Sequence, residues 1–163
     1  MTGNVVSAMI DFYAGDIQRI NHFLKVYALA KSIGECEGLL EEARQVLEIA
    51  AVTHDIGIKP SEEKYGDCTG AHQELEGPPA ARTMLQAFGY APALIERVCH
   101  LIGHHHTYTD IDGLDYQILV EVDFLVNLHE GDCSVEAIRS VREKLFRTAA
   151  GTNHLDRMFL HGK

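Results

Sequence analysis

Apolar residues recur along this chain every three to four positions, the spacing of one face of an α-helix. Over 16–34 the set is Ile17, Ile20, Phe23, Leu24, Tyr27, Ala28 and Ala30, with Gly15 or Asp16 placed to cap the start and Gly34 suited to the end. Over 39–55 it is Leu40, Ala43, Val46, Leu47, Ala50, Ala51 and His54, and Gly57 and Pro60 end the helix. Residues 58–70, IKPSEEKYGDCTG, are rich in turn formers and read as a polar loop. A short segment at 71–76 leads into Gly77-Pro78-Pro79, where either proline suits the first turn of a new helix running to about Phe88. Pro92 opens another helix, with Leu94, Ile95, Val98, Leu101, Ile102 and His105 on one face. After a loop at 107–114, residues 115–129 are apolar on nearly every side, which marks the central helix. A final amphipathic helix covers about 134–149, and the last dozen residues are expected to pack loosely. With no period-two run bounded by turn dipeptides, no repeat and no linker, the pattern predicts a single compact all-α domain over 1–163, its core at about 15–150.

Composition narrows the function classes. A chain of 163 residues can bury about 70% of its unfolded surface. The net charge of −10 repels phosphate backbones, so no extended nucleic acid is expected as a partner. That charge remains compatible with a small phosphorylated substrate held by a metal. No run of about 18 apolar residues predicts a membrane span. The N-terminal stretch lacks a basic region and carries Asp11, so it does not read as a secretory signal. Cys36, Cys68, Cys99 and Cys133 are widely spaced with no CxxC, as expected of reduced thiols in a cytoplasmic protein. Nothing in the sequence fixes an oligomeric state.

Chemistry concentrates in the histidines, six of which fall between His54 and His106. Thr53-His54-Asp55-Ile56-Gly57 puts a His-Asp pair at the C-terminal end of an apolar helix, before a glycine turn where side chains can converge on a cavity. Imidazole and carboxylate both ligate zinc, iron, manganese and nickel. His22 lies on an otherwise apolar face of the preceding helix, and Asp123 lies in the middle of the most apolar helix. A carboxylate there costs free energy unless paired or bound to a cation. His, His-Asp and Asp on three predicted helices therefore point to metal ligation.

In order and spacing, His22, His54-Asp55 and Asp123 resemble the H…HD…D signature of the HD-domain superfamily of metal-dependent phosphohydrolases, over about residues 15–130. His54-Asp55-Ile56-Gly57 is a spelling found in several bacterial branches of that family. The resemblance implies an HD-domain helical bundle with a divalent transition metal (Fe, Mn, Zn or Ni), as one ion or two. In binuclear branches a later histidine and a His-His pair hold the second metal. It implies His72 for the first of these, and His105 with His106 for the pair, with His104 as the alternative partner. His100 is left as an outer-shell or solvent-facing residue. The stretch HHTYTDIDGLDY lacks the Glu and GYP of cyclic-di-GMP phosphodiesterases, which argues against that substrate.

The expected reaction is attack of a metal-bound hydroxide on phosphorus, with Asp55 bridging the metals. His104 or His100 is the expected proton donor, and Lys59 or Arg82 the expected phosphate clamp. No serine or cysteine sits in a nucleophile context, and no glycine-rich phosphate loop is present. The leading expectation is a phosphomonoesterase or phosphodiesterase acting on a nucleotide or other small phosphate ester. A di-iron oxygenase and a non-catalytic metal-binding sensor or interaction module are the alternatives.

Overall fold

The computed structural model describes residues 2–162. Among them there is no strand, so the fold is all-α, as the periodicity predicts. The first helix, α1 (Thr2–Phe12), was not expected from the sequence; it exists because Val5 and Met9, one turn apart, are fully buried. Helix α2 (Ile17–Cys36) starts where the Asp16 side chain accepts a hydrogen bond from the Arg19 N–H. Gly34 does not end it. The helix continues to Cys36, and Gly38, at a φ of 71°, makes the left-handed turn. Gly34 instead lets the next helix approach, since a Cβ there would stand 3.2 Å from Leu47 Cδ2. Helix α3 (Glu41–Thr53) is buried continuously from Val46 to Thr53.

Two expectations for the middle of the chain are corrected. Residues expected as a polar loop contain α4 (Ile58–Tyr65). Pro60 is its third residue, where an N–H has no helical acceptor to lose, and Gly66 (φ 76°) closes it through a bond to the Glu62 carbonyl. The proline pair does not start a helix either. It lies inside one continuous helix, α5 (Gly70–Ala87). Prolines there deny the carbonyls of residues 74 and 75 their helical donors, at a cost of ~3 kcal/mol or more for an interior proline. Tertiary packing offsets that cost. Gly77 abuts Gly57 and Ile102, and Cys99 Sγ donates to the Pro78 carbonyl at 3.4 Å.

Helix α6 (Pro92–Ile102) opens on its proline, and α7 (Leu114–Glu130) is buried along most of its length. As expected, α7 is central: it packs against α2 and α3, and against α8 (Val135–Leu145) and α9 (Ala149–Leu155). The expectation of a loosely packed C-terminus is corrected. A π-helical turn (Asp156–Leu160) follows α9, Leu155 is fully buried, and Phe159 and Leu160 pack on the core. Glu121, buried on α7, anchors this end by accepting from the N–H groups of Arg147 and Thr148 and from the Thr148 hydroxyl. One hydrophobic core extends from Val5 to Leu155, and no described helix is long and apolar enough to cross a membrane.

Candidate metal centre

The ends of α3 and α6 and the middles of α2 and α7 deliver their polar side chains to one place. At the end of α3, the His54 Nδ1–H donates to the Ala51 carbonyl at 2.9 Å, which turns Nε2 inward. The Tyr13 hydroxyl donates to the Asp55 carbonyl at 2.6 Å and ties the turn to the residue following α1. From α2 comes His22, whose Nε2 lies 3.2 Å from His54 Nε2, 3.4 Å from Asp55 Oδ2 and 3.3 Å from Asp123 Oδ1. His54 Nε2 lies 3.3 Å from Asp55 Oδ2 and 3.5 Å from Asp123 Oδ1. Asn127, one turn beyond Asp123, donates to Asp123 Oδ1 at 3.0 Å.

A second convergence shares Asp55. At the end of α6 the His105 Nδ1–H donates to the Ile102 carbonyl at 2.7 Å, and His105 Nε2 points to Asp55 Oδ1 at 3.6 Å. That nitrogen is buried and has no hydrogen-bond partner. His106 meets Gln73 Oε1 through Nε2 at 3.1 Å, and its backbone N–H donates to Glu74. Two sets of residues each bring three ligand atoms within 4.8 Å of one another: His22, His54 and Asp123, and Asp55, His105 and His106.

Electrostatics match a cation site. Burial opposes charging His54, but the carboxylates of Asp55 and Asp123 outweigh it and raise its pKa well above the usual imidazole value. His22 is raised too, again against burial, chiefly through Asp123. Burial likewise works against ionised Asp55 and Asp123, yet the imidazoles hold both carboxyls below the usual carboxylate range. His106 moves the other way, lowered by burial and by the neighbouring His105.

The donor set fits a divalent transition metal. Neutral imidazoles and carboxylates are its ordinary ligands, and the orphaned His105 Nε2 is a lone pair placed where a cation would satisfy it. The centre opens into a cavity of about 350 Å³. His22, Asp55, His106 and Asp123 line it, together with Asp16, Arg19 and Glu130.

Of the residues singled out from the sequence, His22, His54, Asp55, His105, His106 and Asp123 are brought together. His72 is not: its Nδ1 bonds Asp67 at 2.6 Å and its ring stacks on Tyr65 at 3.9 Å. His104 turns back to the His100 carbonyl and is exposed, while His100 Nε2 faces Asp112 at 3.3 Å, so neither stands at the cavity. Lys59 Nζ donates to the Phe12 carbonyl and lies over the Phe12 ring in a neighbouring depression. Arg82 is held by Glu96 in a two-pronged ion pair. The structure thus places none of these five side chains in the lining of the cavity at the centre.

Sequence reasoning missed Arg19, Tyr13, Gln73, Asn127 and Glu130. Helical spacing could have found two of them. Arg19 stands three residues before His22 on α2, and Asn127 stands four after Asp123 on α7.

Comparison with known proteins bears on the family and the fold. Residues 19–145 match a family model described as the HD domain. A crystal structure titled as a predicted HD superfamily hydrolase, from an uncultured Thermotogales bacterium, superposes with a TM-score of 0.70. It is 23% identical, over 97% of this chain and 84% of that one, and shows a shared fold. No curated protein matches the sequence.

Proposed function

This chain belongs to the HD-domain family, and on that premise we propose that it is a metal-dependent phosphohydrolase acting on a nucleotide or other small phosphate ester. The observation that carries the reading is the shared position of Asp55, which faces His22 and His54 through Oδ2 and His105 through Oδ1, at the floor of an open cavity. One divalent ion would be held by His22, His54, Asp55 and Asp123, and a second by Asp55, His105 and His106. Bound there, such ions supply Lewis acidity toward phosphoryl oxygens and lower the pKa of water toward neutrality.

The chain's own residues set the rest. Four carboxylates line the cavity (Asp16, Asp55, Asp123 and Glu130), against one guanidinium, Arg19. A phosphate dianion is therefore repelled by the protein alone, and the cavity accepts it only when cations offset those charges. Arg19 takes the clamp role expected of Lys59 or Arg82. It stands at the cavity, where its terminal nitrogens pair with Glu62 and its Nε lies 3.4 Å from Asp16, so a phosphate oxygen would compete with those carboxylates for it. The opening to solvent favours catalysis over a closed sensor module.

The test is phosphate release by purified protein, stripped of metal and reloaded with Fe, Mn, Zn or Ni in turn, over nucleoside phosphates, cyclic nucleotides and sugar phosphates. Release that depends on the metal supports the proposal. Oxygen uptake by the iron form without phosphate release would favour an oxygenase instead.

A further inference from the structure

Three histidines aim Nε2 into the centre, and their outer nitrogens are held in two different ways. His54 and His105 each donate Nδ1–H to the carbonyl three residues earlier, so the local turn itself sets the ring. His22 sits inside a regular helix, whose carbonyls are already used, and has no such partner. Its Nδ1 meets Glu130 Oε2 at 2.8 Å instead, and Glu130 Oε1 accepts from Lys25 Nζ at 2.6 Å. Lys25 is one turn along α2 from His22, and Glu130 is the last residue of α7, so the three groups bridge the two helices. Glu130 also lines the cavity and is separated from Asp123 by two turns of the same helix.

We propose that Glu130 is a positioning residue for the metal centre: its carboxylate holds His22 in the tautomer protonated at Nδ1, leaving Nε2 as the inward lone pair. A carboxylate in this place does two things that a carbonyl does less well. It fixes the ring orientation through a charge-assisted bond, and it pushes electron density toward the ligating nitrogen. Lys25 holds the carboxylate in turn, so Glu130 does not swing inward to become a ligand itself. The His22 site is thereby the one with a charged outer partner, while in the Asp55–His105–His106 set His105 rests on the Ile102 carbonyl and His106 on Gln73.

The inference rests on the metal-centre reading, and a titration without substrate separates the two. Zinc affinity is measured by competition with a chromophoric chelator for the wild type, Glu130→Ala and Glu130→Gln, and long-range ¹⁵N–¹H spectra of the zinc-loaded proteins report the His22 tautomer. Glu130→Ala should weaken zinc binding at one site by about 10–100-fold, the usual cost of losing an outer hydrogen-bond partner of a ligating histidine. The protected Nδ1–H signal of His22 should disappear with it. Glu130→Gln, which keeps an acceptor without the charge, should fall between the two and keep the signal; this variant decides the matter if Glu130→Ala does not fold. Wild-type affinity and an unchanged His22 signal in both variants would overturn the role of Glu130 alone. A wild-type protein that binds no zinc would overturn the metal centre together with it.

Discussion

His22 Nε2 and His54 Nε2 face each other across 3.2 Å, from helices whose residues are 32 apart in the chain. Since Nδ1 of each is engaged elsewhere, by Glu130 and by the Ala51 carbonyl, the two inner nitrogens meet as lone pairs unless one carries a proton. A proton between them and a metal cation are alternatives that relieve the same repulsion, with Asp55 and Asp123 supplying the countercharge. That competition makes the centre sensitive to pH in opposite directions with and without metal.

In the metal-stripped protein, the raised pKa of His54 and His22 adds stability that is fully present below the unfolded value of about 6.5 and is lost as pH rises through the folded values. The lowered Asp55 and Asp123 add stability that is present above about 4 and is lost as pH falls through their depressed values. Thermal midpoints of the stripped protein should therefore decline as pH rises above about 6.5. Zinc binding requires unprotonated imidazoles, so the stabilisation gained on adding zinc should grow over the same range. A stripped protein that becomes steadily more stable over that range would contradict the shared-proton description.

Metal content separates the histidines that converge from those that do not. His105→Ala removes the orphaned Nε2 beside Asp55 and should lower bound metal by about one ion per chain if two are held, measured by elemental analysis after reloading. His72→Ala should leave metal content unchanged, because that ring is taken up by Asp67 and Tyr65. Loss of an ion from His72→Ala with none from His105→Ala would reverse the assignment.

The turn after the His-Asp pair depends on two glycines in contact. A Cβ on Gly57 would lie 2.5 Å from the Gln73 carbonyl oxygen and 2.8 Å from Gly77 N, both backbone atoms that have no easy way to yield. Gly57→Ala should destabilise the fold by about 1–3 kcal/mol, the range for overpacking a tight contact, and should weaken metal binding because Asp55 is two residues away. Chemical denaturation with and without zinc checks both effects. An unfolding midpoint equal to the wild type would show that α4 and α5 tolerate the separation.

Helix periodicity made α2, α3, α6 and α7 legible, because each buries one broad apolar face and its order follows from local spacing. It misread 58–87, where tertiary contacts override local preference: the proline pair stays helical through the packing at Gly77, and Pro60 falls in a first turn. The ligand candidates His22, His54, Asp55 and Asp123 were readable because polar groups on apolar faces demand a partner. Glu130 was not readable, since a glutamate next to a helix C-terminus looks like a solvated surface residue until α2 is packed beside it.

Metal-dependent phosphate release compared between the wild type and Asp55→Ala tests the central claim most directly. Asp55 faces both ligand sets, so its removal should leave the helical circular dichroism spectrum intact while abolishing bound metal. Phosphate release should fall by at least about 100-fold, beyond the cost of losing an outer-shell partner. Folded Asp55→Ala that keeps full metal occupancy and hydrolyses the same ester at the wild-type rate would contradict the account.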